Sequence, residues 1–203
     1  MSRERLLLVD SYDSFTHNLA HGLAAAGASV EVVTIDDARL DSRSVRRYDG
    51  IVLGPGPGGM EAARDLASVV EWSLAAALPL LGICLGLQAI AVHYGARIER
   101  APRPMHGERS PIVHDGSGLF QTIPSPFNAM RYHSLCVEPG SFSPELHVNA
   151  VSEDGVIQGL RHVCHPIHGV QFHPESFLAE HGATLFAAFV ELAKASLPVS
   201  GLR

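Results

Sequence analysis

Leu80-Leu81-Gly82-Ile83-Cys84-Leu85-Gly86-Leu87-Gln88 is an apolar run that changes character at a single thiol. The residues before Cys84 read as a buried strand and those after it as the start of a helix. A strand that ends on a cysteine and turns at once into a helix places the sulfur at the helix N-terminus. There the dipole and unpaired backbone N–H groups favour thiolate over thiol. A sulfur so placed is a nucleophile at neutral pH. The same residues also suit an inert, buried cysteine, because free cysteine packs as a small apolar side chain. The run leaves both readings open for the thiol, but it establishes one strand-then-helix unit.

Neighbouring segments repeat that unit. Residues 5–9 form an apolar strand ending at Asp10, and a helix capped by Asp13 or Ser14 runs to about Ala26 before Gly27. Residues 30–35 and 50–53 read as strands, the second cut off by Pro55 and Pro57. Residues 63–77 carry Leu66, Val69, Val70 and Leu74 at helical spacing. Residues 79–83 give a fourth strand and 86–94 a helix. Strand and helix in turn, four times over, predict βαβ units, that is, an α/β fold with a central, mostly parallel sheet flanked by helices. The second half differs. Short strand-like stretches at 97–98, 110–114, 128–132, 146–152, 156–161 and 169–172 are separated by turns such as Asp115-Gly116 and Asp154-Gly155. They predict an added, smaller antiparallel β region before a closing helix over 182–195. No repeat or linker interrupts the chain, so a single domain over 1–203 is expected.

Composition narrows the function classes. Hydrophobic residues make up 46% and charged residues 18% of 203, which is globular rather than disordered. The net charge of −6 and the lack of a basic stripe argue against nucleic acid as a partner. Apolar stretches end well before the roughly 18 residues a membrane span needs. Met1-Ser2-Arg3-Glu4-Arg5 leads into an apolar run too short for a secretion signal. Cys84, Cys136 and Cys164 are odd in number and not in CxxC spacing, which fits reduced thiols and a cytoplasmic location.

In an open parallel sheet, ligands bind beyond the carboxyl ends of the strands. Cys84 lies at such an end, and so does Gly54-Pro55-Gly56-Pro57-Gly58-Gly59. No Lys-Ser/Thr follows this loop, so it is not a phosphate-binding P-loop. Glycine lets backbone N–H groups approach a ligand and proline stiffens the loop, which suits an oxyanion donor as well as an ordinary tight turn. Gly169-Val170-Gln171-Phe172-His173-Pro174-Glu175 adds a histidine and a carboxylate two residues apart. If extended, the segment presents both to one face, as a base and the group that orients it. It also suits a plain surface turn. His162, Cys164, His165 and His168 crowd one stretch, but a fourth tetrahedral ligand is not evident, so no metal is expected and an exposed strand and turn is the simpler reading. Met105-His106-Gly107-Glu108-Arg109 reads as a solvated loop.

The chain resembles the class I glutamine amidotransferases, which use a Cys-His-Glu triad. Within them it is most similar to the small, glutaminase subunits of anthranilate synthase and aminodeoxychorismate synthase. The matching residues, in the family's order, are Tyr12-Asp13-Ser14-Phe15-Thr16-His17-Asn18-Leu19, Pro55-Gly56-Pro57-Gly58, the run from Gly82 to Gln88, Met105-His106-Gly107, Arg131-Tyr132-His133-Ser134-Leu135, and the run from Val170 to Ser176 with Glu180-His181-Gly182. The resemblance implies that Cys84 attacks the side-chain amide carbon of L-glutamine, that His173 handles the protons and that Glu175 orients His173. It implies an oxyanion held by the N–H groups of Gly56 and Leu85. Gly58, Gln88, Ser134 and Leu135 would line the glutamine pocket, with Pro57 in the same loop. It implies ammonia delivery to a chorismate-using synthase subunit, with His106 and Arg109 at or near that interface. No cofactor is expected in this chain, while the partner is expected to use Mg2+. Leu87, Gly54 and Ser11 depart from the family's usual residues, and none of them removes a catalytic group.

Overall fold

A computed structural model describes residues 3–195. Its spine is one nine-stranded sheet, and the strands come in two groups. β1 (Arg5–Asp10), β2 (Ser29–Thr34), β3 (Gly50–Leu53), β4 (Leu80–Ile83) and β9 (Ile167–Val170) run parallel in the order β2-β1-β3-β4-β9. β8 (Ile157–His162), β7 (Leu146–Ser152), β5 (Ile98–His114) and β6 (Phe127–Val137) continue the same sheet from β9 in that order, each antiparallel to the last. The antiparallel region is therefore an extension of the parallel sheet, and β9 is the joint between them.

The central strands read as unbroken apolar runs because both faces are covered. Alternation along β1 sends Leu6 and Leu8 to one face and Leu7 and Val9 to the other, all fully buried. The first face packs under α1 (Thr16–Ala25) and α4 (Gly182–Ala195), contributing Leu19, Leu23, Phe186 and Phe189. The second packs under α2 (Met60–Ala76) and α3 (Leu85–His93), contributing Leu66, Val70, Leu87 and Ile90. Helices α2 and α4 present one apolar stripe each, whereas α3 is buried from Leu85 to Ala91 and lacks a polar face.

The fold class matches the sequence-based expectation, and three details differ. β2 and β3 are joined by a single 3-10 turn, Ser44–Arg47, rather than an α-helix. The predicted strands at 97–98 and 110–114 are the two ends of one long strand, β5, so Met105 to Arg109 is strand and not loop. Its register slips between Arg100 and Met105 and again between His106 and Glu108. Pro102 and Pro104 cannot donate to a ladder, and Gly107 takes the positive φ of a bulge, +73°. These interruptions hid a 17-residue strand behind turn-like composition. Helix α1 starts after Phe15 with no side-chain cap; Asp13 instead accepts the Phe15 N–H at 2.8 Å.

Candidate active site

The strand-to-helix turn at Cys84 is strained. Cys84 has φ 54° and ψ −101°, a region that a residue with a Cβ enters only when its surroundings force it. Two glycines supply the force by letting α3 lie directly on the sheet. A Cβ on Gly82 would fall on the backbone of Gly86, and a Cβ on Gly86 on the carbonyl of Leu53. Hydrogen bonds pin the turn on both sides: Cys84 N–H donates to Val170 O at 2.8 Å, and Gln88 N–H to Cys84 O at 3.2 Å. The sulfur thus stands at the N-terminus of α3, where the first N–H groups lack partners within the helix.

Cys84 opens onto a cleft of about 180 Å³. Every residue expected at the substrate position lines it: Gly56, Pro57 and Gly58 from the β3–α2 loop, Leu85 and Gln88 from α3, and Ser134 and Leu135 from β6. Gly56 has no room for a side chain, since a Cβ there would meet Ser11 Cβ at 2.6 Å and Leu85 Cδ2 at 2.9 Å. That approach brings the backbone of the loop against the start of α3. Ser134 lies opposite the bulge in β5: Met105 pairs with His133 and Arg100 with Leu135, so Ser134 has no partner in register across β5. Its exposed position at the cleft follows from that slip.

His173 and Glu175 meet, but not by the extended geometry expected of them. Ser176 N–H donates to His173 O at 3.3 Å, closing a turn around Pro174 that folds Glu175 back toward the ring. Glu175 Oε1 lies 2.6 Å from His173 Nδ1, with the two side chains 0% and 4% exposed. Burial opposes a charge on this imidazole, yet the interactions with Cys84 and Glu175 outweigh it and raise its pKa to about 10. His173 Nε2 and Glu175 Oε2 are buried with no hydrogen-bond partner of ordinary geometry among the described residues. Phe15 and Tyr132 wall the ring, with centroids 5.7 and 5.3 Å away at 61° and 80°.

Three polar side chains of this site belong to recognisable motifs, yet the sequence alone assigns them no task. Gln171 is fully buried and donates Nε2 to Cys84 Sγ at 3.4 Å. Arg131, 1% exposed, reaches His133 Nε2 at 3.1 Å and Asp154 Oδ2 at 2.9 Å. Burial, followed by the Arg131 guanidinium, lowers the His133 pKa to about 4, so the ring is neutral and bridges Arg131 to the Leu135 carbonyl. A buried arginine beside a histidine in a single strand was the available signal.

His106 is exposed and sits edge-on to Tyr132 at 6.1 Å, one ring removed from His173. Arg109 is tied by Nη2 to Glu180 Oε1 at 2.6 Å, and Glu180 Oε2 accepts the Asn128 N–H at 2.7 Å. The histidine-rich stretch is not an exposed strand throughout. His162 is buried, and its Nδ1 accepts the N–H groups of Cys164 and His165 at 2.9 Å each, which turns the chain back into β9. Among the described residues no three His, Cys, Asp or Glu side chains are grouped to hold a metal ion, and no helix is long and apolar enough to cross a membrane.

The family model for class-I glutamine amidotransferases matches residues 7–192. The chain belongs to this family. The anthranilate synthase component 2 of Mycobacterium tuberculosis is 46% identical over 185 residues, covering 90% of this chain and 80% of that protein. The component 2 of Azospirillum brasilense is 45% identical over 185 residues, covering 91% and 94%. The aminodeoxychorismate synthase of Streptomyces griseus is 46% identical over 189 residues; these are 93% of this chain but only 26% of that longer protein. Among solved structures, a Thermoplasma acidophilum protein named for GMP synthase superposes with a TM-score of 0.86 over 96% of both chains at 26% identity. The fold is thus shared by relatives named for three different synthases.

Proposed function

We propose that this amidotransferase chain hydrolyses L-glutamine through a Cys84 thioester and passes the ammonia to a chorismate-using synthase subunit. The observation that carries the proposal is the convergence of a strained helix-terminal thiol, a buried His173–Glu175 pair and the cleft on which Cys84 opens. The Cys84 sulfur attacks the side-chain amide carbon, and the oxyanion is held by the N–H groups of Gly56 and Leu85. Protonated His173 gives its proton to the departing nitrogen as the C–N bond breaks, leaving a glutamyl thioester. Neutral His173 then takes a proton from water, which attacks the thioester and releases glutamate. Glu175 keeps the ring oriented and stabilises its charged form. Gly58, Gln88, Ser134 and Leu135 hold the substrate, with Pro57 stiffening the loop. This acyl transfer calls on no cofactor in the chain itself, and Mg2+ belongs to the partner. Reduced thiols fit work in the cytoplasm.

His106 and Arg109 lie at or near the docking face for that partner. Anthranilate is the leading product. Aminodeoxychorismate is the second reading, favoured by the equal identity to the Streptomyces griseus enzyme, and one chain serving both is consistent with it. Two experiments test the proposal. Cys84→Ala should lower glutamate release at least about a hundredfold with partner present, and undiminished release would sink the nucleophile in favour of a non-catalytic regulatory partner. Capture of the native partner, followed by incubation with chorismate and glutamine, should yield anthranilate; aminodeoxychorismate as sole product would move the chain to the second reading.

A further inference from the structure

The triad leaves one side chain at the sulfur without a role. Gln171 is fully buried on the segment between β9 and His173, and its Nε2 lies 3.4 Å from Cys84 Sγ as a donor. Which end of the amide meets the sulfur is settled by its other neighbour: Gln88 Nε2 donates to Gln171 Oε1 at 3.1 Å, so only the NH2 end is left for sulfur. The Gln171 backbone is held as well, its N–H donating to Gln158 O at 3.0 Å.

The hydrogen bonds continue behind it. Gln88 Nε2 also reaches Leu135 O at 3.4 Å, and that carbonyl accepts from His133 Nδ1 at 3.0 Å. His133 Nε2 accepts from Arg131 Nε at 3.1 Å, and Arg131 Nη2 donates to Asp154 Oδ2 at 2.9 Å. Each member fixes the orientation of the next, from the β7–β8 turn to the nucleophile.

We propose that Gln171 is a catalytic residue of this site, a fixed amide donor that holds and stabilises the Cys84 thiolate, with Gln88, His133 and Arg131 as its positioning residues. An N–H aimed at sulfur favours the thiolate over the thiol, because a hydrogen bond to an ionised acceptor is the stronger one. The donor acts twice: before attack, and again when thioester hydrolysis breaks the carbon–sulfur bond and the electron pair returns to sulfur. It does not depend on proton traffic at His173. Among the described residues, His173 interacts with the sulfur, Glu175 lies on the other ring nitrogen of His173, His133 lines the same cleft, and Arg131 stands behind His133.

The proposal rests on the glutaminase reading only for what the sulfur attacks, and its test needs no glutamine. The full chain is treated with iodoacetamide between pH 5 and 9, and alkylation of Cys84 is followed peptide by peptide, with exposed Cys164 as internal control. Gln171→Met removes the donor at similar length; Gln171→Glu places an acceptor there at the same shape. The pH profile at Cys84 should move to the alkaline side by about one unit, or about tenfold in rate at fixed pH, with Cys164 unchanged. A profile superimposable on the parent in either folded variant would overturn the proposal. A second measurement does not depend on those variants folding: the Gln171 side-chain amide NMR signals should shift in Cys84→Ala, and unmoved signals would equally overturn it.

Discussion

His173 illustrates how neighbours, rather than residue type, set a charge state. Taken out of water, an imidazole holds its proton less well; placed between a carboxylate at 2.6 Å and a thiol, it holds the proton to about pH 10. Glu175 must then do more than orient the ring, since its side chain is itself fully buried and is compensated by that proton. Glu175→Gln keeps the shape and removes the charge. The expected outcome is a His173 titration midpoint at least one unit lower, moving back toward 6.5, and a fall in glutaminase turnover of about tenfold or more. The imidazole C–H signals followed by NMR across pH 5 to 11 measure the first. An unchanged midpoint would mean that Cys84 alone sustains the shift.

The strand-turn-helix element is the part of the molecule most legible in sequence, because one residue type at each position carries a separate constraint. Gly82 and Gly86 are required by the contact of α3 with β3 and β4, and Cys84 by the proposed chemistry. Gly86→Ala would push a methyl group onto the Leu53 carbonyl, which is backbone and cannot rotate away. A loss of about 2–4 kcal/mol in urea unfolding is expected, with activity falling as the turn shifts. Gly116→Ala is the control: it has open space and only an unfavourable φ of +78°, so about 1 kcal/mol is expected. Equal losses in the two variants would refute the close-packing argument. Less of the element comprising β5 and β6 was legible. Prolines and a glycine broke its period, and its pairing is decided by residues 15 to 39 positions away. The turn that brings Glu175 to His173 was invisible for a related reason: two-residue spacing reads as extended backbone unless a proline turn is recognised. Gln171 and Arg131 were overlooked because an amide or guanidinium gains its role only from what the fold puts against it.

Across the whole molecule, two histidines desolvated by the fold, one on β6 at the edge of the sheet and one on β9 at the joint between its halves, give the fold a pH limit. His133 on β6 and His168 on β9 both have pKa values lowered to about 4, by burial first and then by Arg131 and Arg161 respectively. His168 Nδ1 is buried without a hydrogen-bond partner among the described residues, and its cross-strand neighbour in register is Arg161. Both rings fold neutral and would become cations beside an arginine. Their unfolded pKa is about 6.5, so between pH 6.5 and 4 the unfolded chain binds more protons than the folded one. The contribution of these two rings is therefore complete above pH 6.5 and is lost as pH falls toward 4, by about 2–3 kcal/mol for each ring. The carboxylates lowered to about 2, Asp37 and Asp115, lose their contributions only below about pH 4, which separates the two windows. Urea unfolding at half-unit steps from pH 7.5 to 4.5 should show this decline. His168→Gln, which cannot charge, should flatten the curve by roughly half while lowering its pH 7.5 plateau only modestly. A curve as steep as that of the parent chain would place the acid sensitivity elsewhere than at His168.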